Sequence, residues 1–144
     1  MPDTPPVSRH DALATALEAV GDRWSMLVVA ALLDGPRRFG DLEREVEGIA
    51  PNVLSARLRA LEDEGVVVAE PYSERPPRFL YSLTAAGVEL AGAIRLLADW
   101  GARRREGAEP LRHAACDTPL EARLWCPTCE RPVEAPETDE LHFA

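Results

Sequence analysis

The sequence predicts a mainly α, α+β fold in which four helices lead into a two-stranded hairpin, a long helix follows, and a small cysteine-bearing appendage closes the chain. Three observations predict it. Apolar residues recur at helical spacing from Leu13 to Leu61, the period changes to that of strands after Gly65, and cysteines are absent until Cys116. The chain has 144 residues, 46% hydrophobic and 28% charged, enough for one domain of ordinary size plus an extension. These values exclude a collagen-like or low-complexity chain. No apolar run approaches the roughly 20 residues of a membrane helix, and MPDTPPVSRHD lacks a basic stretch followed by an apolar one, so a cytoplasmic protein without membrane contact is expected.

Residues 1–9 carry three prolines and read as a flexible arm. The first helix follows from Leu13, Ala16, Leu17 and Val20, with Asp11 in its first turn favouring the dipole and Gly21 ending it. Asp22 is placed to cap a second helix, apolar on nearly every side from Trp24 to Leu33 and therefore a core helix, which Gly35-Pro36 stops. A short third helix, Phe39 to Val46, turns inward Leu42 and Val46 and ends at Glu47-Gly48. Pro51 then opens a fourth, where Leu54, Leu58 and Leu61 form one stripe. Opposite that stripe stand Asn52, Ser55, Ala56 and Arg59, with Arg57 at its flank.

Val66–Ala69 and Phe79–Ser82 read as strands, and the prolines of PYSERPP make the intervening segment the loop, with Arg75 and Arg78 bracketing its tip. Thr84 caps a final long helix presenting Leu90, Ile94, Leu97 and Trp100. Helices joined by a tight glycine turn and followed by a hairpin make a winged helix-turn-helix, expected over residues 10–107.

That architecture directs attention to the fourth helix. Ala50, Asn52 and Ser55 at its start are small or polar and permit close approach to base edges: Asn52 suits bidentate pairing with adenine and Arg59 reaches guanine or phosphate, with Arg57 at the flank a further DNA-binding candidate. Arg37 and Arg38, just before the third helix, are placed to neutralise phosphate, and Arg75 and Arg78 do so from the wing. Each of these residues also fits a merely solvated surface; their combination carries the reading. The formal net charge of −9 opposes it only on average. Residues 130–144 hold five acids and one base, whereas residues 35–59 sum to +1.

The stretches VGDRWSMLVVAALLDGPRRFGDLEREVEGIAPNVLSARLRALEDEGVV and PPRFLYSLTAAGVELAGAIRLLADWG resemble the HxlR-type family of bacterial winged-helix transcriptional regulators over roughly residues 12–102. GDRW, the GPRRF turn, NVLS followed by RL and LE, YSLT and the closing WG occur in the family's order and spacing. The resemblance implies a homodimer, formed by the first and the long C-terminal helices, that binds an inverted repeat in double-stranded DNA. Many members carry a cysteine just before the first helix, and some sense oxidants with it. This chain has none there, so that chemistry does not carry over; His10 stands nearby as a surface residue.

Beyond the resemblance, His113-x-x-Cys116 and Cys126-x-x-Cys129 form two chelating pairs separated by nine residues. Each two-residue gap aims both ligands at one ion, and three thiolates with an imidazole favour Zn2+, giving a structural zinc-ribbon-like module at residues 108–132. Two alternatives stand beside it, a redox-active Cys126–Cys129 dithiol and inert thiols; without His113, three cysteines would leave an open coordination position. Asp117 occupies a knuckle position where glycine is common. Residues 133–144 read as a solvated acidic tail.

No Gly-rich phosphate loop, serine-nucleophile motif or catalytic metal signature occurs, so no enzyme is expected. The expected function is a sequence-specific transcriptional regulator, a repressor rather than an activator, with room for a small-molecule effector that no residue pattern identifies. The alternative is an interaction or redox-sensing module built on zinc or thiols, in which a winged-helix dimer has given up specific DNA binding.

Overall fold

The computed structural model describes residues 8–107 and 109–134. Most of the arm at residues 1–9 and of the acidic tail at 133–144 lies outside the described residues. The described residues form two compact units, residues 14–95 and, together, residues 8–13, 96–107 and 109–134.

In order, the elements are α1 (Arg9–Val20), α2 (Arg23–Leu32), β1 (Arg37–Arg38), α3 (Phe39–Glu45), α4 (Pro51–Asp63), β2 (Val67–Glu74), β3 (Pro77–Leu83), α5 (Ala85–Glu89), α6 (Ala91–Ala102), β4 (Trp125–Cys126) and β5 (Arg131–Pro132). β3 is the middle of a three-stranded antiparallel sheet in the order β1-β3-β2.

The core of residues 14–95 lies between the helices and the root of the hairpin. Val28, Val29 and Leu32 of α2 meet Leu42 of α3, Leu54, Leu58 and Leu61 of α4, and Val66 and Val67 at the start of the wing. The apolar stripe expected on α4 is thus buried, as are Leu42 and Val46. Asp22 caps α2, its Oδ1 accepting from the amides of Trp24 (3.1 Å) and Ser25 (3.0 Å). Gly48 and Gly65, both at positive φ, let the chain leave α3 and α4 in tight turns.

Three expectations are corrected. α2 is not buried all round, because Leu27 is 41% exposed; an apolar circumference exceeds what two neighbouring layers can cover. PYSERPP is not a loop. β2 runs through Pro71 to Glu74 and β3 starts at Pro77, so only Arg75 and Pro76 turn between the strands. Pro71 is tolerated because β2 is an edge strand and because the register slips between Pro71 and Ser73, a bulge that lifts Tyr72 out of the pairing, and Pro77 because it is the first residue of β3. Finally, the expected single long helix is interrupted at Leu90 into α5 and α6. Thr84 does cap α5: its hydroxyl accepts from the Gly87 amide (3.1 Å) and donates to the Gly65 carbonyl (2.6 Å), fastening the helix to the wing's root. Leu90 and Ile94 pack on the core, whereas Leu97 and Trp100 are exposed, as are Leu13 and Leu17 of α1.

In the terminal unit, α6 ends in an Asp99–Arg103 ion pair (3.2 Å) and Arg104 stacked over Trp100. Asp99 Oδ1 also accepts from the Leu111 amide (3.0 Å), which fixes the chain where the appendage begins.

Candidate nucleic-acid interface

α3 and α4, joined through Gly48 and Ile49, form the helix-turn-helix, and α4 is oriented by its buried leucines. The same periodicity that buries Leu54, Leu58 and Leu61 leaves Asn52, Ala56 and Arg59 exposed along the other side, with Ser55 half-buried. Pro51 at the first helical position keeps the N-terminal turn regular while Ala50 and Asn52 add little bulk there.

A cleft of about 500 Å³ opens between the N-terminal end of α3 and the wing, lined by Arg38, Asp41, Arg44, Tyr72, Arg78 and Tyr81 among others. Arg38 precedes α3, its amide donating to Asp41 Oδ2 (3.1 Å), and its guanidinium lies 4.9 Å from the centroid of the Tyr72 ring. The bulge in β2 makes that stacking reachable. Arg44 pairs with Asp41 but keeps most of its side chain in solvent. Tyr81 stands opposite Arg37 in the sheet register. Burial and then the Glu62 carboxylate push its hydroxyl above the ordinary range, while Arg59 acts the other way, so α4 also bears on this cleft.

The sequence-predicted residues therefore divide. Asn52, Arg59, Arg75 and Arg78 are exposed, and Arg38 lines the cleft. Arg37 is instead turned into the fold: its Nε donates to Glu45 Oε1 (2.7 Å) and its Nη1 to the carbonyls of Gly35 and Pro36. Arg57 reaches Asp22 Oδ2 (3.3 Å), tying α4 to the cap of α2. Partial burial acts to raise the Asp22 carboxyl, but hydrogen bonds from Ser25 and the charge of Arg57 outweigh it and hold it below the usual carboxylate range. Arg44 and Tyr72 were not singled out by sequence reasoning. The spacing of Arg44 three residues after Asp41 carries a usable signal; Tyr72 sits inside a proline-rich segment whose composition points to a loop.

In the appendage, His113 Nδ1 lies 3.3 Å from Cys116 Sγ, and Cys126 Sγ accepts from the Cys129 amide at 3.5 Å. Hydrogen bonding with Thr118, through its side chain before its amide, holds the Cys116 thiol below its ordinary range, and hydrogen bonding with Cys129 and Thr128 does the same for Cys126. The three cysteines form no disulfide. The structure keeps the two pairs separate: among the described residues no three His, Cys, Asp or Glu side chains are grouped to hold a metal.

An exposed polar face on the second helix of a helix-turn-helix, flanked by a wing and an arginine-lined cleft, defines a winged-helix DNA-binding protein of the transcriptional-regulator class. Residues 19–109 match the family model described as HxlR-like helix-turn-helix, and the chain belongs to that family. A protein of Mycobacterium bovis described as an HTH-type transcriptional regulator is 40% identical over 129 residues, covering 87% of this chain and 81% of the relative. That span exceeds the family domain, so the likeness runs on into the appendage. Among solved structures, the redox regulator HypR in its oxidized form is 30% identical with a TM-score of 0.62, covering 66% of this chain and 98% of that one. A solved transcription-factor structure from Pseudomonas aeruginosa reaches 0.66 at 32% identity, covering 87% of both chains. No described helix is long and apolar enough to cross a membrane.

Proposed function

We propose that this regulator binds an inverted repeat as a homodimer and represses the promoter that contains it. The observation that carries the reading is the exposed Asn52–Ala56–Arg59 face of α4, small at its N-terminal end and polar throughout, opposite the leucines that seat the helix. Asn52 and Arg59 read base edges with Ser55 at the margin, while Arg38, Arg44, Arg75 and Arg78 neutralise phosphate. Arg37 and Arg57 act indirectly, by holding the turn before α3 and the α2–α4 contact. Exposed Leu97 and Trp100 of α6 supply apolar surface that a dimer covers. A repeat with half-sites one helical turn apart suits such a dimer, and repression follows from occupying a promoter that polymerase needs.

Selection of bound fragments from a random duplex library should return an inverted repeat; recovery of unrelated sequences overturns the reading. On that operator, Asn52→Ala and Arg59→Ala should each cost about 1–3 kcal/mol and relax discrimination at particular positions. Arg75→Ala should instead weaken all sequences alike and lower the salt slope by about one. Loss of discrimination in Arg75→Ala would mean that the wing reads bases. Transcription from the recovered site in vitro, with and without the protein, tests the sign of regulation.

A further inference from the structure

The appendage contains the same structural unit twice, which neither the family match nor the regulator reading explains. RHAACDTP (112–119) and WCPTCERP (125–132) share the order ligand, two residues, cysteine, acid, one residue, proline. Their backbones follow suit. Counted from the first ligand, the preceding residue pairs antiparallel with the sixth that follows in both: Arg112 with Pro119, and Trp125 with Pro132. One step further out, the Leu120 amide donates to the Leu111 carbonyl and the Val133 amide to the Leu124 carbonyl, each at 2.8 Å. Directly after the second ligand stand Asp117 (φ 55°) and Glu130 (φ 51°), which among the described residues are the non-glycine positions at positive φ. Each acid adopts a left-handed conformation that ordinarily favours glycine, at the same point of the same turn.

Two such turns, each closing around a pair of ligands, have no evident packing to justify them. No described residue from 109 to 134 is buried, Leu124 and Trp125 are 59% and 60% exposed, and the cysteines form no disulfide. Isolated two-stranded hairpins are marginal in water, and a module this small needs a staple.

We propose that His113, Cys116, Cys126 and Cys129 together bind one Zn2+ per chain and that this ion is what folds residues 109–134. The ligand set is three soft thiolates and one imidazole in two chelating turns, matching tetrahedral Zn2+ and poorly suited to Mg2+ or Ca2+. Each pair is already turned for chelation, so binding requires only that one hairpin close on the other. Residues 120–124 between them form neither helix nor strand and are exposed, so closure disrupts no packed core. The ion replaces the thiol protons, which pass to solvent, and its binding free energy becomes folding free energy of the module.

The test uses the reduced full-length protein loaded with Zn2+ and desalted. One zinc per chain is expected, and Co2+ in its place should give the intense visible bands of a tetrahedral thiolate site. Cys126→Ser and Cys129→Ser should abolish both, and His113→Ala should weaken binding by at least roughly tenfold. Chelation should speed amide exchange across residues 109–134 and leave residues 14–95 unchanged, which separates loss of the site from loss of the fold. Less than half a zinc per chain with three titratable thiols overturns the proposal. So do a resting Cys126–Cys129 disulfide, undiminished Zn2+ affinity in His113→Ala, or exchange across 109–134 that ignores chelation.

Discussion

Residues 14–95 and residues 109–134 solve the problem of staying folded in different ways. The first unit buries Val28, Val29, Leu42, Leu54, Leu58 and Leu61 almost completely and satisfies its helix starts with Asp22 and Thr84. The second has no buried residue among those described, spends its hydrogen bonds on two tight turns, and concentrates its cysteines and His113 in those turns. A hydrophobic core grows with volume, so about eighty residues can supply one and about twenty-five cannot. The contrast also bears on the exposed face of α4, which sits on a rigid platform, while the appendage has no such platform of its own.

Core truncation gives the largest expected effect. Leu58→Ala, at a side chain only 2% exposed, should lower stability by roughly 2–5 kcal/mol in urea unfolding, and a loss below about 1 kcal/mol would show that α4 is seated by something else. Asp22→Ala removes the α2 cap and the Arg57 partner and should cost about 1 kcal/mol. Because the folded-state value of Asp22 is lowered, its contribution is present above its ordinary value of 3.8 and is lost as pH falls through the lower folded value. Asp22→Asn should therefore flatten the acid limb of the stability profile while retaining a capping group. The smallest effect is expected in the appendage. Leu124→Ala should leave the unfolding of residues 14–95 within about 0.5 kcal/mol, since its side chain is 59% exposed; a larger change would show the two units to be coupled.

Much of the platform was legible because its signals are local. Leu54, Leu58 and Leu61 announce a buried stripe, Asp22 and Thr84 announce caps, and Gly48 and Gly65 announce turns. The extent of the wing was less legible for an equally physical reason: prolines exclude the interior of a central strand but not an edge strand or a strand's first residue, and nothing local tells Pro71 that β2 has only one neighbour. Arg37 and Arg38 show the limit for charged side chains. Adjacent and chemically identical, they differ in fate because Glu45 and two carbonyls lie within reach of one, and the Tyr72 ring within reach of the other.

By itself, then, the sequence determined the order of the first four helices and the wing hairpin, the buried face of α4 and the spacing of the His/Cys and Cys/Cys pairs, since periodicity, capping and short spacings are properties of neighbours along the chain. Only the tertiary structure decided which arginines face solvent and where the wing's strands end. Those depend on partners brought together from distant positions: Glu45 eight residues beyond Arg37, Asp22 thirty-five residues before Arg57, and Tyr72 on the strand facing Arg38 across the cleft.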